Sequence, residues 1–244
     1  MSGVRGEGDR PLAGLLLIDK PEGPTSMDVC RRVRRALVAG GAPKRVKVGH
    51  GGTLDPLATG LVVVLVGRAT RMCEGVMTGA KRYVAEVDLS CTSTTDDREG
   101  ERTAAGVEPI ERERVEAALG AFRGTIEQRP PAYSAMKVGG KRAYDLARRG
   151  EAVEIASRPV RIDALELTGY AWPLATLDVV CGKGTYIRSL ARDIGGSLGA
   201  GGMLVSLRRL STGPFDVSAA TPLDELPGVL TAGDLLEPGS IEGG

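Results

Sequence analysis

The sequence predicts an α+β fold, one large domain built on a mixed, largely antiparallel central sheet flanked by helices. Three observations point there. Apolar or alternating runs of strand length occur at residues 14–19, 61–66, 81–89, 153–170, 174–181 and 203–210. Hairpin turns or long irregular loops often join them, so a regular β-α-β order with its parallel sheet is not expected. No internal repeat or clear linker interrupts the 244 residues, and 42% hydrophobic content is enough to bury a sizeable core.

Residues 1–10 are polar and glycine-rich and read as a disordered lead-in. Residues 14–19 form a continuous apolar run, as a fully buried strand does, and Lys20-Pro21-Glu22-Gly23-Pro24 is turn chemistry. A helix is predicted from Thr25, with Asp28 three residues on completing a capping box. It carries Arg31, Arg32, Arg34 and Arg35, and Lys44, Arg45 and Lys47 follow after a Gly-Gly break. Such a cluster is usually a solvated face; here it arrives just before a glycine-rich loop, where it also suits phosphate contact. Residues 68–78 look helical. Residues 81–89 alternate as a half-buried strand should, with Tyr83 on the parity of Ala85 and Val87, ordinarily a core position. Residues 92–102 are a polar, acidic turn region. Residues 109–122 predict an amphipathic helix with Ile110, Val115, Ala118 and Leu119 inward and Pro109 in its first turn.

The strands at 153–170 and 174–181 are joined by a turn at Trp172-Pro173. After Gly182-Lys183-Gly184 a helix is predicted with Thr185 as its cap, an apolar face of Ile187, Leu190, Ala191, Ile194 and Leu198, and Gly199 as its stop. A phosphate-binding loop is excluded here, because Leu177 and Gly184 stand where that pattern needs a glycine and a hydroxyl residue. Arg188 falls in the first helical turn, where a cation opposes the helix dipole, and a broken local rule hints at function. After the strand at 203–210, the tail from Thr221 is acidic and has no basic residue.

Composition closes off several classes. The net charge of +1 announces no polyanionic partner by itself, so the distribution of charge has to carry that argument. Cys30, Cys73, Cys91 and Cys181 are scattered and there is one histidine, so no metal site is expected and a reducing compartment is favoured over a disulfide framework. No apolar run approaches the roughly 20 residues that span a bilayer. The expectation is a soluble, cytoplasmic protein, with an organellar matrix as the other compartment.

Two stretches carry candidate chemistry. The first is Gly49-His50-Gly51-Gly52-Thr53-Leu54-Asp55-Pro56-Leu57-Ala58-Thr59-Gly60, with the sole histidine five residues before an Asp-Pro pair. Pro56 keeps Asp55 on extended or turning backbone, and the glycines admit close approach of another chain. Most Asp-Pro pairs only start turns, but an acid on a loop leading into a buried strand is also a plausible catalytic mounting. The second is residues 129–149, where Arg129, Lys137, Lys141, Arg142, Arg148 and Arg149 are opposed only by Asp145 and interleaved with Tyr133 and Tyr144. Cations for phosphates and rings for bases suit single-stranded or loop RNA.

Together these stretches resemble the TruB-type tRNA pseudouridine synthases. The resemblance is carried by residues 14–26, 49–60, Lys81-Arg82-Tyr83, 129–137, Gly184-Thr185-Tyr186-Ile187-Arg188 and Leu207-Arg208-Arg209-Leu210, in family order across about residues 12–225. It implies a pseudouridine-synthase-like catalytic domain over 12–225, a thumb insertion at about 129–151, and a short tail at 226–244 without the usual C-terminal RNA-binding domain of PUA type. A natural minimal enzyme or a shortened chain would account for that. It implies isomerisation of uridine to pseudouridine in the T-loop of tRNA, at position 55. Asp55 would be the catalytic aspartate, kept ionised by a paired Arg188, and Tyr83 the catalytic tyrosine that stacks on the target base and is implicated in proton removal. His50 would help hold the flipped-out RNA, Tyr186 and Leu207 would line the pocket, and Lys137, Lys141 and Arg142 would belong to the thumb. Arg71, where relatives commonly have lysine, and Asp97, in a loop departing from the usual Thr-Asp-Thr, join the candidate RNA-binding group. The family reaction needs no cofactor and no metal, and the implied partner is the tRNA T-stem-loop, bound by a monomer. The rivals are a guide-RNA-dependent, dyskerin-like synthase and a tRNA-folding or RNA-binding protein that keeps the scaffold.

Overall fold

The computed structural model of the protein describes residues 12–133, 137–138, 141–142, 155–237 and 239. The chain forms two compact units, one of Met1–Gly79 with Arg209–Gly244 and one of Ala80–Arg208.

The first unit begins with β1 (Ala13–Lys20), α1 (Ser26–Ala39), β2 (Val48–His50), β3 (Thr59–Gly67), a 3-10 turn over Arg68–Met72 and α2 (Cys73–Thr78). β1 and β3 pair antiparallel from Ala13 opposite Gly67 to Lys20 opposite Gly60, and β2 adds to β3. The middles of both strands, residues 14–18 and 60–66, are free of polar side chains because both faces are covered. Leu15, Leu17, Leu61, Val63 and Leu65 pack with Ala69, Val76 and Phe215. The residues of opposite parity, among them Leu16, Ile18, Val62 and Val64, are equally buried, as are Val29, Val33 and Leu37 of α1. The capping box is present: Asp28 N donates to Thr25 Oγ1 at 3.1 Å and Thr25 N to Asp28 Oδ2 at 2.9 Å.

The second unit holds β4 (Lys81–Asp88), β5 (Cys91–Ser93), β6 (Arg102–Ala104), α3 (Arg112–Leu119), β7 (Gly124–Gln128), β8 (Lys137–Val138), β9 (Lys141–Arg142), β10 (Arg158–Ala171), β11 (Leu174–Cys181), α4 (Ile187–Ser197) and the start of β12 (Met203–Thr212). β4, β11, β10 and β7 lie side by side in that order, each pair antiparallel. β4 alternates as expected, with Lys81, Tyr83, Ala85 and Val87 buried.

Several details differ from expectation. The acidic turn region is a hairpin, β5 against β6, with the acidic residues at its tip. α3 is capped by Glu111 in extended backbone, so Pro109 precedes the helix and does not occupy its first turn. β10 starts at Arg158; Pro159, which has no amide hydrogen, pairs only with β7, and β11 joins from Ile162. Tyr186, and not Thr185, holds the N-cap position of α4 and makes no side-chain cap bond, while the Thr185 hydroxyl donates to Gly182 O at 3.1 Å. Gly199, at φ +68°, follows the C-cap Leu198 as the stop signal predicted.

The chain then returns to the first unit. β13 (Phe215–Asp216) pairs with the end of β12, and β14 (Thr221–Pro222) runs parallel to β1 from Ile18 opposite Thr221. Leu15 and Leu236 exchange backbone hydrogen bonds at 2.9 Å, and Leu230 N donates to Ala36 O at 3.0 Å. Among the described residues no helix is long and apolar enough to cross a membrane.

Candidate active site

The backbone of the Asp55 loop in the first unit is held on both sides of the carboxylate. Ser26, the first residue of α1, accepts from Leu54 N at 2.8 Å and donates its hydroxyl to Leu54 O at 3.1 Å. On the other side of Asp55, Pro56 O accepts from Gly23 N at 2.8 Å and from Lys20 Nζ at 3.3 Å. Ala58 N closes a turn on Asp55 O at 3.1 Å. Leu54, Leu57 and Ala58 are buried and Asp55 is half-buried, so the carboxylate sits between apolar anchors.

Two cations lie buried beside this loop. Lys20 donates to Pro21 O at 2.8 Å as well as to Pro56 O. Burial pulls its pKa down to about 8, against the opposing pull of the nearby Asp55 charge. Because the folded value lies below the ordinary 10.5, the unfolded chain binds the Lys20 proton more tightly between those pH values. The Lys20 contribution to stability should therefore rise as pH goes from about 8 toward 10.5, a segment that Lys20→Met should lack. Parallel melting-temperature profiles for wild type and variant across that window would contradict this. The second cation is Arg209, with Nε donating to Leu61 O at 2.7 Å, Nη1 to Thr53 O at 3.2 Å and Nη2 to Gly52 O at 3.2 Å.

His50 ends β2. Its Nδ1 is buried without a hydrogen-bond partner among the described residues, and Cys73 Sγ donates to its carbonyl at 3.3 Å. Burial and then the Arg209 charge lower its pKa, with a Gly52 backbone interaction opposing, so the imidazole is neutral at pH 7. A neutral ring is fit for stacking and wedging and brings no charge to a phosphate. Arg71, at the end of the 3-10 turn, is exposed. Arg31, Arg32, Arg34 and Arg35 of α1, with Pro24, Asp28 and Leu223, line a cleft of about 590 Å³. Arg31 is paired with Asp28 at 2.5 Å and Arg32 with Asp224 at 3.5 Å.

In the second unit the conflict posed by Arg188 at a helix start is resolved locally. Its Nη1 lies 3.4 Å from Asp97 Oδ2 and donates to Thr95 O at 3.3 Å, while Nη2 donates to Tyr133 O at 3.1 Å. Arg188 and Asp97 are both buried. Asp97 is fixed in turn by Glu99 N at 3.0 Å and Thr95 Oγ1 at 2.5 Å. The next carboxylate, Asp96, has φ +61° and takes Arg192 Nη1 at 2.8 Å. Burial raises the Asp96 pKa against the pull of Arg192. The acidic hairpin tip is thus docked on two arginines of α4, and Leu204 N donates to Asp96 O at 3.0 Å.

Tyr83 and Leu207 are buried on β4 and β12. Tyr186 is clamped by Gln128, whose Oε1 accepts from Tyr186 N at 2.8 Å and whose Nε2 donates to Tyr186 O at 3.1 Å. The Arg158 guanidinium lies 5.3 Å from the Tyr186 ring centre, in cation-π range. Lys137 pairs with Arg142, and Val138 with Lys141, along the β8–β9 ladder. The rest of the expected thumb from residue 134 on, Tyr144 included, lies outside the described residues. Asp55, His50 and Arg71 belong to the first unit; Tyr83, Asp97, Tyr186, Arg188 and Leu207 belong to the second. Sequence reasoning missed Lys20, Ser26, Gln128 and Arg209, whose importance comes from partners distant in the chain. Lys20, Ser26 and Arg209 lie inside the stretches quoted for the resemblance, which was a signal; Gln128 lies outside them.

Residues 40–187 match the family described as TruB family pseudouridylate synthase (N terminal domain), and residues 188–236 match the tRNA pseudouridylate synthase B C-terminal domain. The chain is 45% identical over 225 residues to the tRNA pseudouridine synthase B of Xanthomonas axonopodis pv. citri, covering 92% of this chain and 71% of that protein. With the protein of the same name from Mycolicibacterium paratuberculosis it shares 46% over 218 residues, 87% of this chain and 72% of the other. Among solved structures, it resembles a chain in the crystal structure of a Cbf5-Nop10-Gar1 complex, at TM-score 0.67 and 29% identity over 87% of its length. It spans about half of that chain, 53%. A chain in the structure of an H/ACA RNP bound to a substrate RNA containing 2'-deoxyuridine gives TM-score 0.67 at 24% identity, over 93% of this chain and 60% of that one, a likeness of fold.

Proposed function

The chain belongs to the TruB family of pseudouridylate synthases, and on that premise we propose that it isomerises uridine to pseudouridine in the T-loop of tRNA, with Asp55 as its working carboxylate. The observation that carries this reading is the 45% identity to a tRNA pseudouridine synthase B across most of both chains. The fixed mounting of Asp55 supports it: a carboxylate that must act at one atom of a large substrate gains from a backbone that does not move.

The reaction breaks N1–C1′, turns the base and forms C5–C1′; the C5 hydrogen leaves as a proton and N1 ends protonated. Atoms and electrons balance without oxidant, reductant or water, so the chemistry calls for no cofactor. Asp55 acts at C1′, as nucleophile or by assisting departure of the base. Tyr83 stacks on the extruded base, since C1′ cannot be reached while the base is stacked in the RNA. Arg188, preset by Asp97, supplies positive charge to the reacting centre. Tyr186 and Leu207 line the base pocket. Neutral His50 wedges the flipped conformation, and Arg71, Lys137, Lys141 and Arg142 contact phosphates. The enzyme acts as a monomer in the cytoplasm. The guide-RNA-directed rival has less support, since identity to the Cbf5-Nop10-Gar1 chain is 29%.

Release of tritium from tRNA transcribed with 5-tritiated uridine tests the assignment, because C5 loses its hydrogen when it bonds to C1′. Protein alone should release label in proportion to pseudouridine formed. Release only after addition of a separate guide RNA would favour the rival. For the thumb, Lys141→Glu with Arg142→Glu should weaken tRNA binding and lower the slope of log K against log salt by about 1 to 2. Unchanged affinity at every salt concentration would remove these residues from the contact surface.

A further inference from the structure

We propose that Arg209 is a positioning residue for the isomerisation: its buried guanidinium cross-links the two stems of the loop that carries Asp55. This rests on the reading of Asp55 as the working carboxylate. Gly52 and Thr53 enter the loop, and Leu61 is the third residue of β3, on the far side of Asp55. Nη2, Nη1 and Nε reach their three carbonyls at 3.2, 3.2 and 2.7 Å, so one planar group ties the entry of the loop to a strand of the sheet. The backbone of Arg209 is pinned as well. Gly60 lies so close that a Cβ there would come within 2.2 Å of Arg209 O, and its φ of +102° also excludes other residues.

The partners are all backbone oxygens, which is the informative part. Burying a guanidinium at 2% exposure carries a desolvation cost that carbonyls offset only in part, so stability alone gives it little reason to be there. Geometry does. Three carbonyls in different directions need a rigid fork with separate donors; a lysine ammonium on a flexible stem cannot hold all three in place. With Ser26 on Leu54 and Lys20 and Gly23 on Pro56, carbonyls on both sides of Asp55 are engaged, and Arg209 closes the base. The Arg209 charge also bears on His50 and lowers its pKa, which supplies a reporter, since His50 is the single histidine in the chain.

The experiment uses full-length Arg209→Lys and Arg209→Met with unmodified tRNA. It measures single-turnover rate, tRNA affinity, melting temperature and the NMR titration of the lone imidazole. Arg209→Lys should stay folded and bind tRNA within about twofold of wild type, yet turn over roughly 10- to 100-fold more slowly, the scale of a displacement near 1 Å at the reacting group. In Arg209→Met the His50 pKa should rise and the rate should fall further. Should the methionine variant fail to fold, the lysine variant decides. A wild-type single-turnover rate per folded molecule in Arg209→Lys, or a rate loss matched by an equal loss of tRNA affinity, overturns the proposal. Asp55→Asn, run beside it, separates the two levels. An inactive Asp55→Asn with a fully active Arg209→Lys defeats the positioning role alone, whereas a fully active Asp55→Asn defeats the underlying reading.

Discussion

Asp55→Asn should lose pseudouridine formation by on the order of 10⁴-fold or more while remaining folded and able to bind tRNA. The substitution is nearly isosteric. The loop backbone is bonded to Ser26, Gly23, Lys20 and Arg209, and these bonds do not depend on the Asp55 charge, so the amide should sit where the carboxylate did. What it lacks is the charge and the nucleophilic oxygen. A second consequence checks that the substitution acts at this place. The Asp55 charge raises the Lys20 pKa against burial, so its removal should lower that value further below about 8. Single-turnover assay and a Lys20 titration read the two effects separately.

Arg188→Met is expected to have the next largest effect, and on two properties at once. It would take the cation away from the Asp97 carboxylate, 3% exposed, leaving its bonds from Glu99 N and Thr95 Oγ1, and would remove a donor from the carbonyls of Thr95 and Tyr133. Breaking a buried ion pair from one side typically costs about 3 to 5 kcal/mol, so the melting temperature should drop clearly. The turnover of the folded fraction should fall by about 10²- to 10³-fold if Arg188 supplies charge to the reaction. Asp97→Asn distinguishes the two roles. It loosens the grip on Arg188 but leaves the cation in place, so activity should fall less than in Arg188→Met. Full activity per folded molecule in Arg188→Met would reduce Arg188 to a structural residue.

Much of the fold was legible because its signals are local. The unbroken apolar runs of β1 and β3 announce burial on both faces, and the alternation from Lys81 to Asp88 announces burial on one. Thr25 with Asp28, and Gly199 after α4, mark helix ends through chemistry within four residues. The misses come from groups that choose among distant partners. Thr185 has the right side chain for a cap, but the N-cap falls on Tyr186, whose amide donates to Gln128, 58 residues away. Lys20 reads as turn chemistry beside Pro21, yet its ammonium is buried on Pro56 O. The clamp of Arg209 on Thr53 spans 156 residues, and no spacing rule reaches that far. The candidate loop itself was legible through its glycines and Asp-Pro pair; what holds it still was not.

The most direct measurement is the mapping of pseudouridine, nucleotide by nucleotide, in an unmodified tRNA transcript incubated with this protein and nothing else. Wild type should convert a single uridine, at position 55 in the T-loop, and Asp55→Asn none. Conversion at other uridines only, or equal conversion by both proteins, would contradict it.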